Sequence, residues 1–202
     1  MRELLKSSPP AQGLRERKKA KTRAAIQRHA LRLFREQGYE ATTVEQIAEA
    51  AEVSPSTFFR YFPTKEDVVL YDPFDPVLIA AFKAQPPELT PMQAIREALH
   101  ITFTAMSAED TVEQWERGKL MLSIPDVRMH ALNDFLETAQ LLAELVASRI
   151  GRRPDDLAVH TFVGSVIGAL MAAFLAGLNN PTADVVALMD ESLRLLESGL
   201  PL

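Results

Sequence analysis

Between residues 54 and 65 the chain reads SPSTFFRYFPTK, and most of its chemical potential is concentrated there. Phe58 and Phe62 stand four residues apart, so on a helix they share one arc. Ser56, Thr57 and Arg60 then project from the opposite arc, with Phe59 and Tyr61 flanking them. An aromatic arc backed by hydroxyls and a guanidinium suits a helix that buries one side and reads a nucleic-acid groove with the other. Arg60 can donate to a guanine edge, Ser56 and Thr57 can bond bases or phosphates, and Phe59 can touch a thymine methyl. The Tyr61 hydroxyl and the Lys65 ammonium are placed for backbone phosphate, contacts that fix register rather than sequence.

The neighbouring elements have to hold this helix in place. Ile26, Ala30, Leu33 and Phe34 recur at helical spacing, and Gly38 ends that first helix. Thr43 is the expected cap of a second helix, with Gln46 three residues on completing a capping box and Val44, Ile47, Ala48 and Ala51 as its buried face. The chain breaks at Glu52-Val53 and restarts at Ser54, a cap followed by Pro55. Pro63 closes the third helix, and Thr64 caps a fourth that begins at Lys65. Two short helices joined by a tight turn after a longer one form a helix-turn-helix pattern.

The formal charge of −5 argues against a polyanion partner only while the chain is taken whole. Residues 1–65 hold 13 Lys/Arg against 7 Asp/Glu, whereas residues 66–202 hold 9 against 20. From Arg15 to Arg35 nine cations face Glu16 alone. The basic part of the chain is also the part that carries the helix-turn-helix.

The stretch FREQGYEATTVEQIAEAAEVSPSTFFRYFPTKEDV resembles the N-terminal domain of TetR-family transcriptional regulators. The residues that carry the likeness are Phe34, Gly38, Tyr39, Thr42, Thr43, Val44, Ile47, Ala48, Ala51, Val53, Ser54, Thr57, Phe58, Tyr61, Phe62, Lys65 and Glu66. The resemblance implies a homodimeric repressor that binds double-stranded DNA at a near-palindromic operator and is released by a small molecule held in its C-terminal helices. It also implies DNA contacts from Thr43, Ser56, Thr57, Phe59, Tyr61 and Lys65. Two positions depart from the family pattern. Glu52 stands where the turn usually has Gly, so it must accept a positive φ or change the turn, and Phe59 replaces a usual Tyr.

Beyond the fourth helix, Pro73, Pro76, Pro86, Pro87 and Pro91 punctuate a stretch expected to be irregular. Helices follow at roughly 91–106, 109–124, 126–150, 155–179 and 182–198, bounded by Pro125, Gly151, Pro154 and Pro181. The expected fold is all-α with about nine to ten helices. It has a loose arm at 1–14, a helix-turn-helix domain at 15–64 and a ligand-binding and dimerisation domain at 65–202. Phe162–Leu178 is apolar enough to suggest a membrane span, but Ala and Gly dilute it and an amphipathic helix follows. The expected role of these last two helices is a subunit interface through Gly164, Gly168, Ala172, Met189 and Leu193, closing a four-helix bundle, with no membrane partner.

Aromatic and sulfur side chains gather in the C-terminal part. Phe103, Trp115, Met121, Phe135, Phe162 and Phe174, with Arg117 and Arg128, are the candidate lining of an apolar ligand pocket; His100 and His130 are further polar candidates. The segment WERGKLMLSIPDVRMHALNDF resembles a stretch of the TetR subgroup that binds acyl-coenzyme-A-like ligands, matching at Arg117, Leu120, Met121, Ile124 and Pro125. That likeness implies an elongated apolar ligand. No catalytic residue, metal or cofactor is expected. The four histidines have no metal-site spacing, there is no cysteine, and no GxSxG, Walker or dinucleotide fingerprint occurs. With neither a cysteine nor an apolar leader, the chain suits a reducing cytoplasm. The rival reading is a helical protein-interaction adaptor without sequence-specific DNA binding.

Overall fold

Local capping rules set most of the element boundaries. In the computed structural model, which describes residues 13–178, 180 and 183–201 (without the side chains of residues 132 and 133), ten helices and no strand occur among the described residues. They are α1 (Leu14–Gln37), α2 (Val44–Ala50), α3 (Pro55–Tyr61), α4 (Lys65–Leu70), α5 (Asp75–Lys83), α6 (Pro91–Thr104), α7 (Ala108–Ser123), α8 (Pro125–Ile150), α9 (Leu157–Leu178) and α10 (Val185–Glu197). Of the expected N-terminal arm, residues 1–12 lie outside the described residues, as does the Pro181 boundary. Gly13 caps α1 and Leu14 begins it.

The chain divides into two compact units at Tyr71/Asp72, so α4 belongs with the first three helices rather than with the body that follows. In the first unit α1 packs on α2 and α4, and α2 on α3. Ile26, Ala30, Leu31 and Phe34 of α1, Ile47 and Ala48 of α2, Phe58 and Phe62, and Val68 and Val69 of α4 fill its core. Leu31 takes the place that periodicity gives to Leu33, which is only half-buried.

In the second unit α5 pairs with α6, α8 with α7 and α9, and α10 with α9 and α6. Ala81, Phe82, Ile95, Ala98, Val146, Val159, Val163, Val166 and Leu193 form its centre. The stretch expected to be irregular contains α5. Proline in the first helical turn costs no hydrogen bond, and Pro76 sits there, ahead of Val77-Leu78-Ile79-Ala80-Ala81-Phe82. Pro91 opens α6 and Pro125 opens α8 in the same way. The segments expected from 126 and 155 begin at Pro125 and Leu157, and the last helix starts at Val185, capped by Asp184.

Candidate nucleic-acid interface and candidate effector site

Each short helix of the first unit is started by a side chain that replaces a missing backbone partner. Thr43 accepts from the Gln46 amide at 3.2 Å while the Gln46 side chain accepts from the Thr43 amide at 2.9 Å. Ser54 accepts from the Thr57 amide at 3.1 Å and Thr64 from the Asp67 amide at 3.2 Å. With α3 held to two turns, its faces separate. Phe58 and Phe62 are fully buried, while Ser56, Phe59 and Arg60 form one exposed strip at i, i+3 and i+4. Phe59 is 52% exposed, a large apolar side chain offered to solvent in the centre of that strip. Thr57 and Tyr61 are half-buried along its flank, and the Thr57 hydroxyl accepts from Ser54 at 3.0 Å. Arg60 lies over the Tyr61 ring, 5.4 Å from its centroid.

Lys65 is turned toward the protein. Its ammonium donates to the carbonyls of Tyr39 (2.9 Å) and Thr42 (3.2 Å) and sits 4.0 Å from the centre of the Tyr39 ring. The Tyr39 hydroxyl donates to Glu66 at 2.6 Å. These bonds pin the loop that delivers Thr43 to the start of α2. Thr43 itself is exposed.

Two positioning residues escape a reading of the sequence. Arg23 donates to the Tyr61 carbonyl at 3.1 Å and lies over the rings of Tyr71 (4.0 Å) and Phe62 (5.1 Å). Gln27, buried, donates to the carbonyls of Val68 (2.9 Å) and Tyr71 (2.7 Å). Together they satisfy carbonyls at the ends of α3 and α4 that no intrahelical amide reaches. Arg23 is hidden within a run of cations. Gln27 gives only the faint signal of a polar residue beside Ile26 on the apolar arc.

The side chains expected to line a ligand pocket are dispersed in the second unit. Trp115 and Phe174 do meet, edge to face at 4.9 Å between centroids. Arg117 donates to Asp72 at 2.6 Å and to Gln114 at 2.8 Å. Near this pair the Asp75 carboxyl is pushed up to about 6, first by burial and then by Asp72, against the pull of Arg117, with Asp134 adding to the rise. Asp75 nevertheless keeps an exposed side. Arg128 lies on the surface and donates to the Leu122 carbonyl at 3.1 Å, and His130 pairs with the Asp126 carbonyl at 2.9 Å. Phe135 is 38% exposed, Met121 is half-buried and Phe162 packs on the core cluster.

Of the eight, Phe103 borders a crevice of about 40 Å³, shared with Leu99, His100, Val186, Met189 and Leu193. An open depression of about 420 Å³ lies beside it, between Arg96 and the α10 residues Glu191, Arg194 and Glu197. Arg96 joins the two helices, donating to Asp190 at 2.9 Å and Glu197 at 3.2 Å, and its bond to Asp190 holds that carboxyl below the usual range.

Of the expected interface residues, Gly164, Gly168 and Ala172 share one exposed face of α9. Leu193 is different: it is fully buried in the protomer's own core, and Met189 lines the 40 Å³ crevice. Both face inward because α10 spends its apolar stripe on α9 and α6.

A capped helix pair presenting Ser56, Phe59 and Arg60 from a basic three-helix support defines a helix-turn-helix DNA-binding regulator. The comparisons with known proteins give the family. Residues 26–71 match the bacterial regulatory proteins of the tetR family, and residues 89–201 match the MftR C-terminal domain. The chain belongs to the TetR family of transcriptional regulators, and its relatives are regulators rather than enzymes. It is 36% identical to the HTH-type transcriptional regulator TcmR of Streptomyces glaucescens over 176 residues, 80% of this chain and 78% of that one. It is 22% identical to the putative mycofactocin biosynthesis transcriptional regulator MftR of Mycobacterium tuberculosis, across 91% and 93% of the two chains. Among solved structures, Thermus thermophilus FadR in complex with lauroyl-CoA superposes with a TM-score of 0.53 at 25% identity, covering 89% of this chain and 95% of that one.

Proposed function

We propose that this regulator is a cytoplasmic repressor that binds a near-palindromic operator as a homodimer and leaves it when an elongated apolar ligand enters the second unit. The observation that carries the DNA reading is the exposed Ser56–Phe59–Arg60 strip on a helix locked from behind by Phe58 and Phe62. Arg60 takes the base-reading role, Ser56 and Thr57 bond bases or phosphates, and Phe59 meets a thymine methyl. Thr43, Tyr61 and the remaining N–H of Lys65 contact phosphate and set the register.

The ligand part rests on Trp115 and Phe174, the aromatic pair inside the second unit, and on the FadR likeness, since that protein is seen with lauroyl-CoA. A ligand entering at this pair would part the two rings. Because Trp115 is the only tryptophan, its fluorescence reports that event directly.

Footprinting on the DNA upstream of the protein's own coding region tests the reading. The expected result is a two-fold symmetric protected region with half-sites in successive major grooves on one face. Arg60→Ala should weaken that complex by about tenfold to a hundredfold while leaving random-sequence DNA binding nearly unchanged. Protection without two-fold symmetry, or an Arg60→Ala protein that binds as wild type, defeats the operator reading. For the effector, saturating lauroyl-CoA should raise the melting temperature and shift Trp115 emission. Stabilisation by a different ligand class with none from acyl-CoA removes the acyl assignment.

A further inference from the structure

The first two turns of α1 break the rules by which helices stabilise themselves. Every residue from Leu14 to Lys21 is exposed, and the first buried side chain of the helix is Ile26. The N-cap is Gly13, which has no side chain to cap the free amides. Arg15, Arg17, Lys18, Lys19 and Lys21 crowd the end where the helix dipole is already positive, opposed by Glu16 alone. Arg15 lies one turn from Lys18 and Lys19, and Lys21 one turn from Arg17 and Lys18, so like charges repel along the same surface. Among the described residues, nothing in the protomer's own packing or charge offsets this arrangement.

Its position suggests what does. Arg23 fastens α1 to the last carbonyl of α3 at 3.1 Å. The five cations follow directly on the N-terminal side of that anchor, and Leu14 lies about 13 Å further along the helix axis. The extension precedes residues 26–71, the part that matches the tetR family.

We propose that the α1 extension, Arg15 to Lys21, is a second DNA-binding element that grips the phosphates flanking the bases read by α3. The polyanion supplies the countercharge that the described residues do not offer this helix. This rests on the DNA-binding reading above and adds to it a contact that is electrostatic and indifferent to sequence.

The test uses the full-length protein with all five cations changed together, Arg15→Gln, Arg17→Gln, Lys18→Gln, Lys19→Gln and Lys21→Gln. Arg152→Gln/Arg153→Gln is the charge control, because both arginines are exposed in the second unit. The probes are a duplex from upstream of the protein's own coding region and a random-sequence duplex, each titrated across a salt series. Removing like charges should leave the free variant at least as helical by circular dichroism and no less heat-stable than wild type.

Its log K against log salt slope should flatten by about 0.9 for each phosphate that the arm no longer neutralises. Affinity should fall about tenfold or more, in parallel on both duplexes, with the control unchanged. An arm variant that keeps the wild-type slope overturns the proposal while the DNA reading stands. A variant with reduced helicity and a lower melting temperature also overturns it, because the arm is then a structural element. If wild type shifts neither duplex at low salt, the DNA reading falls and takes this proposal with it.

Discussion

Glu52 sits at φ 55° between α2 and α3, a conformation in which a side chain crowds the backbone. Two hydrogen bonds show why the chain accepts it. The Glu52 amide donates to Glu49 O at 3.0 Å and the Val53 amide to Ala48 O at 2.9 Å, the paired closure that ends a helix through a left-handed residue. The turn therefore keeps its shape without the usual Gly, and Glu52 bears the strain and holds an exposed carboxylate just ahead of the cap of α3, the helix proposed to read DNA. Glu52→Gly should stabilise the protein by about 0.5 kcal/mol, since relief of roughly 1 kcal/mol of left-handed strain outweighs the added freedom of the unfolded chain. It should also tighten DNA binding severalfold by removing a like charge from the phosphates. Glu52→Gln separates the two effects, because it should tighten binding with no gain in urea stability. Equal stability of all three proteins would mean that the turn is not strained. Of the alternatives posed by the sequence, a positive φ or a different turn, the structure takes the first. Lys65 is less legible, because the fold of its ammonium onto two carbonyls and the Tyr39 ring depends on a loop 23 to 26 residues away.

At the level of elements, α7 and α9 meet through a reciprocal pair of aromatics and glycines. Phe174 of α9 covers Gly118 of α7, and Trp115 of α7 covers Gly177 of α9. A Cβ built on Gly118 would lie 2.4 Å from the Phe174 ring, and one on Gly177 would lie 3.0 Å from the Trp115 ring. Helix propensity alone favours Gly→Ala by about 1 kcal/mol. At Gly118 the overlap wins, because Phe174 is already packed edge to face against Trp115 and has to leave that contact to make room. Gly118→Ala should therefore cost about 1–2 kcal/mol in urea unfolding, and adding Phe174→Leu should recover most of the loss. A Gly118→Ala protein as stable as wild type would show that the rings yield freely. Residue type marks Trp115 and Phe174 as a candidate pocket wall but gives no sign of the glycines beneath them, since a ring seated on a glycine of another helix leaves no period in either one. The caps at Thr43, Ser54 and Thr64 are legible because each is decided within four residues. Helix α5 is not, because Pro76 reads as a breaker yet falls in the one turn where proline is harmless.

Across the molecule, the apolar helix α9 is the part that a single copy leaves unsatisfied. Leu157–Leu178 has a mean hydropathy of 2.0, yet only 22% of that window is buried. One stripe, Val159, Val163, Val166 and Ala173, packs inside the protomer, while Leu157, Gly164, Gly168, Met171 and Leu175 face outward. A bilayer would have to strip α9 from α8 and α10, which already cover its inner stripe. A second copy needs no such rearrangement. Among the described residues, and apart from the adjoining backbone of α9 itself, nothing lies within 4 Å of a Cβ built on Gly164 or Gly168, so the outer face leaves room for close approach by an identical helix. The proposed dimer is thus held by apolar contact, and the proposed DNA complex by charge, so the two should respond oppositely to salt. Between about 0.15 and 1 M salt the dimer should persist in sedimentation at twice 22.4 kDa while the DNA complex dissociates. Gly164→Leu/Gly168→Leu should keep its helicity yet sediment at 22.4 kDa, losing operator binding far more than random-DNA binding because half-sites are then engaged singly. A doubly substituted protein that still pairs would leave the outer stripe of α9 without this role, and a wild-type protein that stays at 22.4 kDa at micromolar concentration would also leave the two-fold operator without its cause.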